Sequence, residues 1–321
     1  MQYKGTYRRG SNIKGKVARN RVKRISLSLL FIIVFIITFF LSTLKILNKF
    51  ENNISMSKEE IKRYIDITDE LSKVGYQLNW QEVASINSAL NNGSFEINNE
   101  NINNIANSFF KKDNEGNIIG INSFKAAIKS LNLDSERETL AKDNLERIKS
   151  NYLNEDLIDD RNKLGFIESI SAVAIDNYKN YGILPSITIS QAILESGWGE
   201  STLSSKYNNL FGIKADSRWD GKKVEMETKE NYDDVIVGAF RAYDNLNSSI
   251  KDHGKFLYEN ERYGANGLFE GKTYIDQAQA LEDAGYSTAK DQEGNLIYAD
   301  KLIRVIQENN LMFYDTNVER K

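Results

Sequence analysis

The chain's only proline, Pro185, heads an apolar stretch that stops at Gly197-Trp198-Gly199. Proline suits the first turn of a helix, where its missing N–H has no partner to lose and its fixed φ is already helical. A glycine just past the last apolar position is a common stop. With both ends marked, Ile187, Ile189, Ala192, Ile193 and Leu194 become the apolar body of a short helix. Gln191 and Glu195, four residues apart, share one face of it. Glu195 therefore falls at the negative end of the helix dipole, with Trp198 near enough in sequence to shield it. Both effects favour a protonated carboxyl. Such a group can donate its proton to a departing glycosidic oxygen. The same pattern also fits a capped amphipathic helix with a solvated glutamate.

The opposite end of the chain carries a different constraint. Nine Lys and Arg residues (Lys4, Arg8, Arg9, Lys14, Lys16, Arg19, Arg21, Lys23, Arg24) crowd residues 1–24 without an acid. The run Ile25–Leu44 that follows has no charge and is long enough for a hydrocarbon core of ~30 Å. Lys45-Ile46-Leu47-Asn48 follows without a small-residue cleavage pattern. Residues 25–47 thus read as an uncleaved transmembrane signal anchor. The basic tail stays in the cytoplasm and everything beyond residue 45 lies outside the cell membrane. Setting those nine charges aside leaves 33 basic against 45 acidic residues, a net of −12. That balance argues against nucleic acid as a partner. The absence of cysteine excludes disulfides and thiolate metal sites, and His253 as the sole histidine argues against an ordinary zinc site. No metal or cofactor is required.

Ser57-Lys-Glu-Glu60 is a capping box, and helical spacing recurs through Trp80–Leu90, Ile102–Phe110, Ser123–Leu131 and Ser135–Tyr152. Residues 58–152 read as a small all-α domain or stalk with no visible chemistry. Asp113–Asn117 and Asp291–Asn295 look alike, but the position that would close a calcium loop holds Phe124 or Leu302, so both read as turns. From residue 155 to 321 the pattern is that of an α+β domain. Helices are predicted at Phe166–Tyr181, Pro185–Ser196, Ser248–Asn260, Thr273–Ala284 and Tyr298–Asn309. Leu210–Ala215 and Lys222–Glu230 read as two strands joined around Asp220-Gly221, with Val235–Tyr243 as a third.

Strand alternation puts Glu230 on the face of Val224, Met226 and Thr228, opposite Glu225 and Glu227. It is the natural second carboxylate, with Asp233 and Asp234 as alternatives. Trp198, Phe211, Tyr243, Tyr286 and Tyr298 offer flat rings for stacking on sugars, with Gln191 beside the acid. Each ring is equally a candidate for the core. His253 reads as structural, since no nucleophile elbow accompanies it.

These residues resemble the endo-β-N-acetylglucosaminidase family of peptidoglycan hydrolases, glycoside hydrolase family seventy-three. The resemblance runs from near Phe166 to Phe313. It is carried by Gly182–Ser201, Asn208-Asn-Leu-Phe-Gly-Ile-Lys214, Val224–Glu230, Phe240-Arg-Ala-Tyr243, Asp252-His253, Ala284–Thr288 and Tyr298-Ala-Asp300. It implies a lysozyme-like domain with a helical lobe, a small β-lobe and a cleft between them. It maps the general acid onto Glu195 and the second carboxylate onto Glu230. Lys290–Leu296 departs from the family as an apparent insertion at the rim. The function implied is a membrane-anchored hydrolase that cuts cell-wall glycan strands after N-acetylglucosamine. A muramidase or lytic transglycosylase on the same scaffold is the alternative, as is a non-catalytic wall-binding scaffold. On that last reading the helical region would recruit cell-wall or divisome proteins.

Overall fold

A computed structural model describes residues 56–72, 75–152, 161–230 and 234–319. The chain divides into two units, Met1–Ile54 and Ser55–Lys321. The basic tail and the expected membrane anchor at 25–47 lie outside the described residues. Among the described residues no helix is long and apolar enough to cross a membrane.

The second unit begins with α1 (Lys58–Ser72), α2 (Trp80–Leu90) and α3 (Asn99–Phe109). The expected capping box is present: the Ser57 N–H donates to Glu60 Oε2 at 2.8 Å, and the Glu60 N–H to Ser57 Oγ at 3.1 Å. Helix α2 is buried along nearly its whole length, packed on α1, α3 and the long α5 (Ser135–Tyr152). The all-α expectation needs correction here. Strands β1 (Phe110–Lys112) and β2 (Ile118–Ile121) form an antiparallel hairpin before α4 (Phe124–Ser130). Its turn is organised by Asp113, whose Oδ1 accepts the N–H groups of Glu115 and Asn117, both at 2.9 Å. Asp291 makes the same pair of bonds to Glu293 and Asn295. Both segments are thus side-chain-closed turns.

The second half is built around one helix. Helix α7 (Pro185–Ser196) is packed by α6 (Arg161–Tyr181), α11 (Tyr274–Asp283), α12 (Tyr298–Glu308) and α13 (Met312–Glu319). The short helix α8 (Thr202–Tyr207) follows α7, and α9 (Leu246–Glu259) lies against α6 and the short α10 (Glu261–Ala265). Strands β3 (Lys223–Glu230) and β4 (Asp234–Arg241) form the one sheet of this half among the described residues, antiparallel, with Glu230 opposite Asp234.

The predicted hairpin was placed one strand too early. Leu210–Ala215 contributes only the bridge Lys214↔Phe240, and the hairpin joins β3 to β4. Asn209 explains the difference. Its Oδ1 accepts from the N–H groups of Phe211 and Ile213, while its Nδ2 donates to the carbonyls of Ile213 and Arg241. A side chain thus satisfies part of this backbone, and the segment's own pairing with β4 is limited to the Arg241 N–H on the Ile213 carbonyl at 2.9 Å and the Ala215 N–H on the Ala239 carbonyl at 2.8 Å. At Asp220-Gly221 the Trp219 indole N–H donates to the Lys222 carbonyl at 2.9 Å. A Cβ on Gly221 would collide with that indole, so the glycine admits the ring instead of turning a hairpin.

Candidate active site

Neither of the two helices that meet at Glu195 can cap its own start. Leu184 and Ile297 occupy the N-cap positions of α7 and α12, with no side-chain acceptor to offer. Carboxylates from elsewhere serve instead. Asp315 on α13 accepts from the Ser186 N–H at 2.8 Å, and Glu282 on α11 accepts from the Ala299 N–H at 3.0 Å. Both place an acceptor at the positive end of a helix. Asp315 is fully buried, and burial pushes its carboxyl up to about 7. Gln277 fixes the entry to α7 as well, accepting from the Leu184 N–H at 2.9 Å and donating to the Gly182 carbonyl at 2.8 Å.

The far end of α7 closes as the sequence predicts. Gly197 is left-handed at φ 57°, and the Trp198 N–H returns to the Ile193 carbonyl at 3.2 Å. Trp198 and Gly199 continue the left-handed run at φ 61° and 81°. Ser196 ties the run down, its Oγ donating to the Ala192 carbonyl and accepting from the Gly199 N–H. A non-glycine residue in this region carries local strain. The strain at Trp198 turns the chain sharply just past Glu195.

Glu195 accepts a 2.8 Å hydrogen bond at Oε1 from the Tyr298 hydroxyl, which in turn accepts from Gln191 Nε2 at 3.1 Å. The face shared by positions 191 and 195 is therefore joined through Tyr298. Glu195 is exposed as a residue, but the protein packed about its carboxyl raises the group's proton affinity. Burial is the main cause, opposed by the Tyr298 hydrogen bond and the charge of Lys301. Water reaching this exposed residue tempers the rise. A sugar that displaced that water would strengthen it.

An aromatic column backs this contact. Tyr298 stacks on Tyr286 at 5.2 Å, Tyr286 meets His253 edge-on at 6.2 Å, and His253 stacks on Phe211 at 3.7 Å. Fully buried and without a hydrogen-bond partner among the described residues, His253 has its proton affinity pushed down to about 3 by burial. It is neutral and structural, as expected.

Several substrate-stacking assignments need correction for the same reason. Phe211 is buried beneath His253, and Tyr243 is buried with its hydroxyl donating to Asp252 Oδ2 at 2.7 Å. Gln191 and Tyr298 are buried as well, and they act on Glu195 through hydrogen bonds. Trp198 and Tyr286 remain half-buried. Trp198 packs edge-on against Phe166 at 6.3 Å with Lys163 over its ring, so Tyr298 is the ring in direct contact with the acid.

Val224 and Met226 are half-buried and Glu225 and Glu227 exposed, in keeping with the strand alternation read from the sequence. Position 230 shares the parity of Val224 and Met226, and its backbone ends β3. Asp233 lies outside the described residues. A surface pocket of about 170 Å³ beside α9 includes Arg218, Arg241, Asp252 and Lys255 but not Glu195. Arg241 is already bound to Asp252 at 2.8 Å and Arg218 to Asp216 at 2.7 Å. That pocket therefore offers charges already matched to one another. Among the described residues no cluster of His, Cys, Asp and Glu could hold a metal ion. Asp315, Glu282 and Lys301 were missed in the sequence. The only signal for the two caps was the apolar residue at each cap position.

Comparison with known proteins gives a consistent assignment. The Glucosaminidase family, described as mannosyl-glycoprotein endo-beta-N-acetylglucosaminidase, matches residues 171–311. Exo-glucosaminidase LytG of Bacillus subtilis is 38% identical over 156 residues, covering 47% of this chain and 52% of that protein. A probable N-acetylmuramidase of Lactococcus lactis subsp. cremoris is 35% identical over 154 residues, covering 47% of this chain and 34% of that protein. This chain thus spans about half the length of the first and a third of the second. The catalytic domain of the autolysin Auto from Listeria monocytogenes is 35% identical, with 48% of this chain and 88% of that one covered at a TM-score of 0.41.

Proposed function

The chain belongs to the glucosaminidase family of glycoside hydrolases through residues 171–311, and from that premise we propose that it cleaves the β-1,4 bond after N-acetylglucosamine in peptidoglycan. The observation that carries the proposal is the Glu195 carboxyl, its proton affinity raised by burial and its Oε1 accepting from the Tyr298 hydroxyl at 2.8 Å. In this reading Glu195 gives its proton to the bridging oxygen as the bond breaks. The carboxylate left behind is a better acceptor for Tyr298 and is attracted by Lys301. The hydrogen bond therefore tightens as charge develops, which is where it accelerates the reaction.

Glu230 is the proposed second carboxylate, activating water or stabilising the oxocarbenium-like transition state. Trp198 and Tyr286, the two site rings with open surface, are the proposed sugar contacts. The uncharged run at 25–44 and its basic flank support anchoring in the cell membrane, with the catalytic domain facing the wall. Recruitment of cell-wall or division proteins through residues 58–152 is a separate proposal, supported only by that region lying outside the matched stretch.

Mass spectrometry of digested wall is the test. Reducing-end N-acetylglucosamine is expected, with solubilisation abolished by Glu195→Gln. Activity retained by Glu195→Gln would overturn the acid assignment. The name of the Lactococcus relative favours a second reading, cleavage on the muramic acid side. Reducing-end N-acetylmuramic acid would establish that reading, and an anhydro sugar would point to lytic transglycosylation.

A further inference from the structure

The helices outside the matched stretch meet the site helices at buried polar joints. Asp69 on α1 accepts at Oδ2 from the Tyr274 hydroxyl and from Gln307 Nε2 at 3.0 Å, and at Oδ1 from Gln77 Nε2 at 3.0 Å. A buried carboxylate with three donors fixes the groups around it, because displacing any of them leaves a polar atom unsatisfied. Two of those donors belong to the catalytic half. Gln307 lies on α12, the helix that opens with Tyr298, about 13 Å away along a stiff rod. Tyr274 opens α11, which carries both Gln277 at the entry to α7 and Glu282 at the start of α12.

A second joint lies at α13. Asn79 Nδ2, at the start of α2, donates to Thr316 Oγ1 at 3.2 Å, next to the Asp315 that caps α7. The Trp80 indole N–H donates to Asn310 Oδ1 at 3.0 Å, between α12 and α13. The region 58–152 thus bonds α12 directly through Gln307, and reaches α7 through α11 and α13, whose Gln277 and Asp315 hold its start.

We propose that residues 58–152 are a brace that sets the Tyr298 hydroxyl on Glu195, with Asp69 as its positioning residue. The proposal rests on Glu195 being the general acid. Were the joint there only for stability, weakening it would lower the folded fraction and leave the acid's titration where it was.

The full chain carries the test, in two readouts: the basic limb of kcat/KM against pH on wall glycan, and the ¹³C titration of the Glu195 carboxyl. Tyr298→Phe removes a bond that lowers the proton affinity of Glu195, so both readouts should move up by about one pH unit. Asp69→Asn keeps the size but turns one acceptor into a donor facing its own donors. It should move both readouts the same way by a smaller amount, and add nothing once Tyr298→Phe is in place. Asn79→Ala tests the other joint with the same readouts, should Asp69→Asn not fold. A wild-type titration of Glu195 in the folded brace variants overturns the brace, as does an equal shift on the Tyr298→Phe background. The carboxyl titration needs no turnover, so an active Glu195→Gln would defeat the acid assignment without being mistaken for failure of the brace.

Discussion

As the proposed general acid, Glu195 must hold a proton until the sugar oxygen takes it, and then stand as a carboxylate. Burial serves the first condition, and Tyr298 with Lys301 serves the second. The balance gives Tyr298→Phe a definite sign. Without the hydroxyl, burial acts unopposed by that bond and the carboxyl titrates higher. The protonated form then survives to higher pH, so the basic limb of the rate profile moves up, while the rate at the optimum falls about tenfold. A basic limb that stayed in place or moved down would refute this account. Glu195→Gln keeps the acceptor for Tyr298 and loses the transferable proton. Its rate should fall roughly 10³-fold with the urea midpoint within error of wild type. A large drop in that midpoint would mean that position 195 holds the fold together.

At the scale of elements, the turn that follows the acid makes the sharpest demand on the chain. Gly197 and Gly199 are both left-handed, but they differ in surroundings. A Cβ at 197 would meet nothing within 4 Å, whereas one at 199 would lie 2.8 Å from Phe166 Cε2. Gly197→Ala should therefore cost only the left-handed backbone penalty, about 1 kcal/mol. Gly199→Ala adds overpacking to that penalty and should cost about 2–4 kcal/mol. Urea unfolding of the two variants checks the order, and equal losses would show that Phe166 yields freely. Helix α7 was legible in the sequence because its own residues mark both ends. The caps from Glu282 and Asp315 were not, since each comes from a residue 17 or 129 positions away, and local pattern carries no such information. The β3 strand was legible from its alternation. Its partner was misjudged because Asn209, an ordinary polar residue in sequence, takes over part of the role of a ladder in 210–215. Phe211 and Tyr243 looked like sugar platforms by motif position, but aromatic character does not reveal which face is already covered.

At the scale of the whole molecule, three carboxyls among the described residues, Asp69, Glu195 and Asp315, have their proton affinity raised by burial. Between the ordinary carboxylate range and pH about 7, the folded chain therefore holds protons that the unfolded chain has released. Stability must fall as pH rises through that window, because the state with more bound protons is the one disfavoured by their removal. Asp113, Asp216, Asp244 and Asp291 are shifted the opposite way by hydrogen bonds, but they are exposed and solvent screens them. Asp315 dominates the window, with a folded value of about 7 against 3.8. At most about 4 kcal/mol follows from such a difference, reduced because the start of α7 favours a negative charge. Asp315→Asn retains an acceptor for the Ser186 N–H and removes the titration. Wild-type stability from urea unfolding should decline between pH 5 and 8, and the variant's should decline less, so that the two curves converge or cross as pH rises. Parallel curves would mean that Asp315 is already ionised at pH 5, its charge held by the helix it caps.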